Sequence, residues 1–291
     1  MKITNKNHVM KKFLGLSLIS LVLFSCGEEQ TKEFKDTVEK KGVVEVDTTD
    51  VFASDQYEFV LPRPFALAAN FEEAGMTYDA ERMNDVENVS NYTSKGKQLL
   101  NFGVYSTNLV YNIMNDRPQQ TMKYFNTLRE LADKFGMGSI FTEDDLALEI
   151  EENISDREAL EDLLVDVHER SQEFLSDNDM RYLSAIQFSG AWVEGMYLAS
   201  FDFVKKDPAE INMKLIDQMS LLRNTIKGLE AYPDRDEDIQ NILDELNDLQ
   251  DTFNNFDSVK STEGVGFPEL TAEDIQTIAD KIQEIRAKIV A

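Results

Sequence analysis

Residues 99–114 read LLNFGVYSTNLVYNIM, and these residues are apolar on nearly every side of a helix. A helix that is hydrophobic all round is normally buried in a protein core. A second stretch of this kind runs from Asn178 to Val204 and contains Trp192. The sequence therefore predicts an all-α fold, a helical bundle with two buried central helices.

Amphipathic helices are predicted on both sides of these two stretches. Pro118 and Pro208 each suit the first turn of a helix, and apolar residues recur every three or four positions after them. The longest alternating pattern, Val43 to Val46, is too short to predict a sheet. Three further helix starts carry a capping box, in which a Ser or Thr and an acid three residues later bond free backbone amides: Thr142 with Asp145, Ser155 with Glu158, and Thr271 with Asp274.

The two buried helices open two similar segments. Gly103 leads through apolar residues to Pro118, and Gly190 leads likewise to Pro208, at spacings of 15 and 18 residues. These spacings differ by about one helical turn. One interpretation is a duplicated helical hairpin, in which two hairpins form a four-helix centre and the glycines permit close helix contact. The alternative is chance similarity between two buried hairpins.

The amino-terminal residues predict a lipoprotein signal peptide over residues 1–25. Four lysines precede a twelve-residue apolar run from Phe13 to Phe24, which is too short to span a bilayer. The run ends in Leu23-Phe24-Ser25-Cys26, which resembles the lipobox of bacterial lipoproteins. We expect cleavage before Cys26 and a lipid anchor on its thiol, which would attach the protein to a membrane. The alternative is an ordinary signal peptide with an incidental cysteine.

Composition separates a tether from a folded domain. Residues 26–50 are polar and charged, which predicts a flexible acidic tether, and residues 51–291 are predicted to form a single helical domain. This domain is predicted to include a short helix from Phe65 to Ala74, ended by Gly75. The formal net charge of −26 argues against nucleic acid as a partner. Because Cys26 is the only cysteine, the fold is predicted to rely on core packing without a disulfide.

Five motifs lie between Leu61 and Leu229: FALA at 65–68, GMTY at 75–78, VSNY at 89–92, NFGVYSTNLVY at 101–111 and LADKFG at 131–136. Together they resemble a family of all-helical lipoproteins of Bacteroidota. The resemblance covers a little over half of the chain and implies an envelope lipoprotein of the outer membrane, on its periplasmic face or at the cell surface. Glu28 and Glu29 resemble a surface-export tag of those bacteria, with an ordinary acidic linker as the alternative. No activity is carried over with the family.

Glu194 is the charged residue that the sequence singles out, because it lies inside the apolar run Trp192 to Tyr197. A buried carboxylate must find a partner or take up a proton. One interpretation is a polar anchor in a ligand pocket, together with Asn108 of the other buried helix. The other is a structural carboxylate bonded to a tyrosine or a lysine between helices.

Metal and cofactor sites are not predicted. His168 is the only histidine after the signal region, which argues against a histidine-rich zinc or di-iron site. Asp234, Asp236, Asp238 and Glu245 have the spacing of a calcium loop, but Ile239 stands where such a loop needs glycine. We therefore expect a non-enzymatic binding or protein-interaction module. The alternatives are a carrier of a small apolar ligand in a pocket between helices, and an enzyme that uses carboxylates.

Overall fold

The computed structural model describes residues 77–141, 146–232, 234–262 and 267–291. Within these ranges the regular secondary structure is helical and contains no strand, which confirms the all-α bundle. The signal peptide, the tether, the helix predicted from Phe65 to Ala74 and the capping box predicted at Thr142 lie outside the described residues.

Nine α-helices and three short 3-10 helices occupy the described residues. The α-helices are α1 (Lys95–Met114), α2 (Pro118–Lys134), α3 (Leu146–Glu152), α4 (Arg157–Asp177), α5 (Tyr182–Phe203), α6 (Pro208–Glu230), α7 (Glu237–Asn255), α8 (Asp257–Lys260) and α9 (Ala272–Val290). The 3-10 helices are Ala80–Arg82, Val86–Asn91 and Gly138–Phe141. Most residues of α1 and α5 are buried, as the all-round apolar character of both stretches predicts.

Two predicted helix starts are wrong by a few residues. Asp156, rather than Ser155, caps α4, because its carboxylate accepts the backbone N–H of Ala159 at 3.2 Å. The helix thus begins one residue later, and Glu158 falls one position short of the capping-box site. The second buried helix begins at Tyr182 and not at Asn178, since Asp179 has a φ of 55°, which interrupts the helical backbone.

The parallel helices α1 and α5 touch backbone to backbone through two glycines. A Cβ atom placed on Gly103 would lie 1.9 Å from the carbonyl oxygen of Gln187, and one on Gly190 would lie 1.9 Å from that of Leu100. Gln187 precedes Gly190 by three residues, as Leu100 precedes Gly103. The contact is therefore reciprocal, as the interface between two copies related by a twofold axis would be. A duplicated hairpin would produce a reciprocal contact of this kind.

The other helices extend this central pair. In the two hairpins, α2 packs against α1 and α6 packs against α5. The last helix, α9, contacts α1, α5 and α7, while α7 also contacts α6. The position of α9 beside the central pair was not predicted, and it brings the end of the chain to the most deeply buried polar residues.

The start of α9 confirms the predicted capping box, and its removal gives a first prediction. The Thr271 hydroxyl accepts the N–H of Asp274 at 3.1 Å, and the Asp274 carboxylate accepts the N–H of Thr271 at 2.9 Å. We expect Thr271→Ala to lower the free energy of unfolding by about 1 kcal/mol in a urea melt. The control is Thr277→Ala in the same helix, where we expect a change within about 0.5 kcal/mol. Equal effects would show that the cap contributes nothing.

Candidate functional site

The structure brings the two candidate residues of the central helices together. Glu194 of α5 is fully buried, with a relative exposure of 0%, and Asn108 of α1 is equally buried. The Asn108 side-chain amide donates to Glu194 Oε1 at 2.7 Å. The amide also donates to the carbonyl oxygen of Val104 one turn earlier, at 2.8 Å. Asn108 is thereby held in one orientation, with one of its N–H groups directed at the carboxylate.

The partner that neutralises Glu194 is Arg286 of α9, and not the tyrosine or lysine predicted. Arg286 Nε donates to Glu194 Oε2 at 3.0 Å, and Nη2 approaches Oε1 at 3.5 Å. The Arg286 side chain is 13% exposed, and its guanidinium lies 4.6 Å from the ring centre of Tyr197. Both oxygens of Glu194 therefore accept hydrogen bonds from within the fold, so the carboxylate joins α1, α5 and α9.

Burial and charge act in opposite directions on this pair. Burial raises the pKa of Glu194, while Arg286 and Asn108 lower it, and the effect of burial is larger. Burial lowers the pKa of Arg286, but Glu194, Tyr197 and Tyr92 together more than reverse this effect, so the pKa of Arg286 is raised. The guanidinium therefore stays protonated. Removal of the Glu194 carboxylate would leave a largely buried positive charge without a counter-ion.

A segment before α1, residues 77–92, extends the polar cluster and is here called the strap. Asn84 of the strap donates its backbone N–H to Asn108 Oδ1 at 3.0 Å, and its side-chain amide donates to the Tyr92 hydroxyl at 2.9 Å. The Tyr124 hydroxyl of α2 donates to the carbonyl oxygen of Asn84 at 2.8 Å. Arg286 Nη2 also donates to the carbonyl oxygen of Arg82 at 3.4 Å. The strap is thus fixed to the same residues that fix Glu194.

The strap and α1 also bond the last carbonyl groups of α9, which have no partner within their own helix. Asn101 Nδ2 donates to the carbonyl oxygen of Ile289 at 2.9 Å, and Lys97 Nζ donates to that of Ala291 at 2.8 Å.

Sequence reasoning missed Asn84, Asn101 and Arg286. The available signal was the set of asparagines at 101, 108 and 112 inside an apolar helix, each of which needs a buried partner.

Three of the four acids with calcium-loop spacing form a helix cap, a hydrogen bond or an ion pair: Asp236, Asp238 and Glu245. Asp236 accepts the backbone N–H groups of Ile239 at 2.9 Å and of Gly96 at 2.8 Å, so it caps α7 and bonds the start of α1. Asp238 accepts a hydrogen bond from the Ser94 hydroxyl. No group of three or more His, Cys, Asp or Glu side chains that could hold a metal ion occurs among the described residues.

A cleft of about 380 Å³ opens between the starts of α1 and α7 and the end of α9. Its lining residues are Lys97, Leu100, Asp238, Asn241, Ile242, Asp244, Glu245, Lys288 and Ile289. Charged side chains dominate its walls, so it does not resemble the apolar pocket that a carrier of an apolar ligand would need.

Comparisons with protein families, with curated proteins and with solved structures found no match to this chain. The resemblance to the Bacteroidota lipoproteins therefore stays a prediction from the sequence. Across the described ranges, none of the helices combines the length and the apolar character required to cross a bilayer.

Proposed function

We propose that this chain is a lipoprotein of the bacterial outer membrane whose helical domain is a non-enzymatic binding or protein-interaction module. The lipid on Cys26 anchors the domain on the periplasmic face or at the cell surface. The lipobox that ends in Cys26 supports the anchor, and the motifs between Leu61 and Leu229 that resemble Bacteroidota lipoproteins support the location.

One observation carries the non-enzymatic part of the proposal. Glu194 is the buried carboxylate that the sequence marks as a candidate functional group, and its two oxygens are occupied by Asn108 and Arg286. A general base or nucleophile needs a lone pair that a substrate can reach. The Glu194 carboxylate instead holds three helices in place, which supports a rigid domain that acts through its surface.

Lipidation of Cys26 is the direct test of the anchor. In bacterial cells fed an alkyne-tagged fatty acid, we expect the parent chain to incorporate the tag and Cys26→Ser to incorporate none. Ser25→Ala is the matched control, because it keeps a small residue before the cysteine and should still be tagged. A tagged Cys26→Ser chain, or an untagged parent chain, would contradict the proposed anchor.

A further inference from the structure

The cleft between α1, α7 and α9 has an apolar floor and walls of both charges. Its floor consists of Leu100, Ile242 and Ile289, which are buried in the core. Two cations and three anions stand around this floor: Lys97, Lys288, Asp238, Asp244 and Glu245. A volume of about 380 Å³ lies within the range of small-molecule sites in proteins, which is roughly 300–1,000 Å³.

Contacts between the three helices hold the walls of this cleft in position. Ser94 caps α1 by accepting the N–H of Lys97 at 3.1 Å, and its hydroxyl donates to Asp238 of α7. Across the other side, Lys288 of α9 lies 2.6 Å from Glu245 of α7. The cleft is therefore formed before any ligand arrives, so binding requires little ordering of the walls.

The charged walls retain unused bonding capacity. Lys97 Nζ donates one bond, to the carbonyl oxygen of Ala291 at 2.8 Å, and an ammonium group has three donors. Asp244 Oδ1 accepts from Gln240 at 2.8 Å, and a carboxylate has about four acceptor positions. Lysine donors and carboxylate acceptors therefore remain for a ligand that carries both kinds of group.

The mixture of charges selects the class of ligand. A simple anion would be repelled by the carboxylates, and a simple cation would be repelled by Lys97 and Lys288. An apolar molecule would remove water from ionic side chains without replacing their hydrogen bonds, which is costly. A ligand with one positive group, one negative group and a short aliphatic part avoids all three penalties.

We propose that this cleft binds a compact zwitterion of the amino-acid or short-peptide class. The ammonium group of the ligand lies against Asp244, its carboxylate faces Lys97, and its aliphatic part covers the floor. This inference rests on the proposal that the domain is a binding module, and it does not depend on the lipid anchor.

The test is isothermal titration calorimetry with the dipeptide L-alanyl-L-alanine as the probe. The full-length chain carrying Cys26→Ser is used, so that no lipid interferes. We expect a dissociation constant below about 1 mM. The N-acetylated dipeptide and the C-amidated dipeptide each lack one charge, and we expect each to bind at least about tenfold more weakly than the unmodified dipeptide. We expect the same loss when the unmodified dipeptide is titrated into the Asp244→Asn variant.

A rim variant shows whether the probe occupies this cleft. Asn241 is an exposed residue of the rim, and Asn241→Trp should fill the cleft and abolish binding while the melting temperature stays unchanged. The control is Asn126→Trp on the exposed face of α2, which should bind the dipeptide normally.

Four results would overturn the inference. They are no heat of binding for the dipeptide at about 10 mM, full binding by Asn241→Trp, equal binding of the blocked dipeptides, or equal binding of succinate or putrescine, which carry one sign of charge. The fatty-acid label on Cys26 is an independent readout. A labelled chain that does not bind the dipeptide contradicts only the cleft, and an unlabelled chain that binds it contradicts only the anchor.

Discussion

Gly103→Ala is expected to destabilise the protein by about 3 kcal/mol, even though alanine is the better helix former by about 1 kcal/mol. The added Cβ would lie 1.9 Å from the carbonyl oxygen of Gln187 and 2.6 Å from the backbone nitrogen of Ala191. Both are backbone atoms of a buried helix, so neither can rotate away. The parallel helices α1 and α5 must separate, and the closely packed core around them must loosen. Urea denaturation followed by circular dichroism measures the loss.

The reciprocal glycine supplies a matched comparison. Gly190→Ala places its Cβ 1.9 Å from the carbonyl oxygen of Leu100, so it should cost about as much as Gly103→Ala. The double variant should cost less than the two single losses together, because either methyl group already parts the helices. Asn126→Ala, on the exposed face of α2, should change stability by less than about 0.5 kcal/mol. A Gly103→Ala protein as stable as the parent would contradict the close contact.

Glu194→Ala is expected to cost about 3–5 kcal/mol, because it leaves the largely buried Arg286 guanidinium without its counter-ion. A loss of this size lowers the melting temperature by roughly 6–20 °C in a domain of this length. Glu194→Gln keeps an oxygen that can accept from Asn108 or Arg286 but loses the charge, so its cost should be smaller. Thermal and urea melts of both variants test this order. Stability equal to or above that of the parent in both variants would contradict a structural role for Glu194.

A surface ion pair between α7 and α9 provides the control for the Glu194→Ala variant. Glu245 of α7 lies 2.6 Å from Lys288 of α9, two residues after Arg286, and these side chains are 31% and 50% exposed. Water screens such a pair, so Glu245→Ala should cost less than about 1 kcal/mol. The contrast between Glu194 and Glu245 separates the effect of burial from the effect of losing any ion pair to α9.

The two core helices, α1 and α5, could be predicted because the pattern that indicates burial lies within their own sequences. An apolar residue on every side of a helix requires burial, so α1 and α5 follow from residues 99–114 and from the run around Trp192. Proline in the first turn marks the starts of α2 and α6. Gly103 and Gly190 could be matched because each begins a similar segment, although only the structure reveals their reciprocal contact.

The position of α9 and of the strap could not be predicted. The isoleucine stripe of α9 shows which face is buried, but it does not show which distant helix that face meets. The strap has no apolar period, and Asn84 is buried only because α1, α2 and the strap converge on it. Glu194 was recognisable as a charge in an apolar run, whereas Arg286 is one of several charged residues of an amphipathic helix. Arg286 pairs with Glu194 only because the fold brings together two residues that are 92 positions apart in the sequence.

The structural role of the Glu194–Arg286 pair is tested most directly by a double-mutant cycle. It consists of Glu194→Ala, Arg286→Ala, the double variant and the parent, each unfolded in urea. Arg286→Ala leaves a fully buried charge unpaired and Glu194→Ala leaves a largely buried one, whereas the double variant leaves neither. We predict a coupling energy of about 2 kcal/mol or more, with the double variant far more stable than the two single losses together imply. A coupling energy below about 0.5 kcal/mol would contradict the account, because the two charges would then contribute to stability independently.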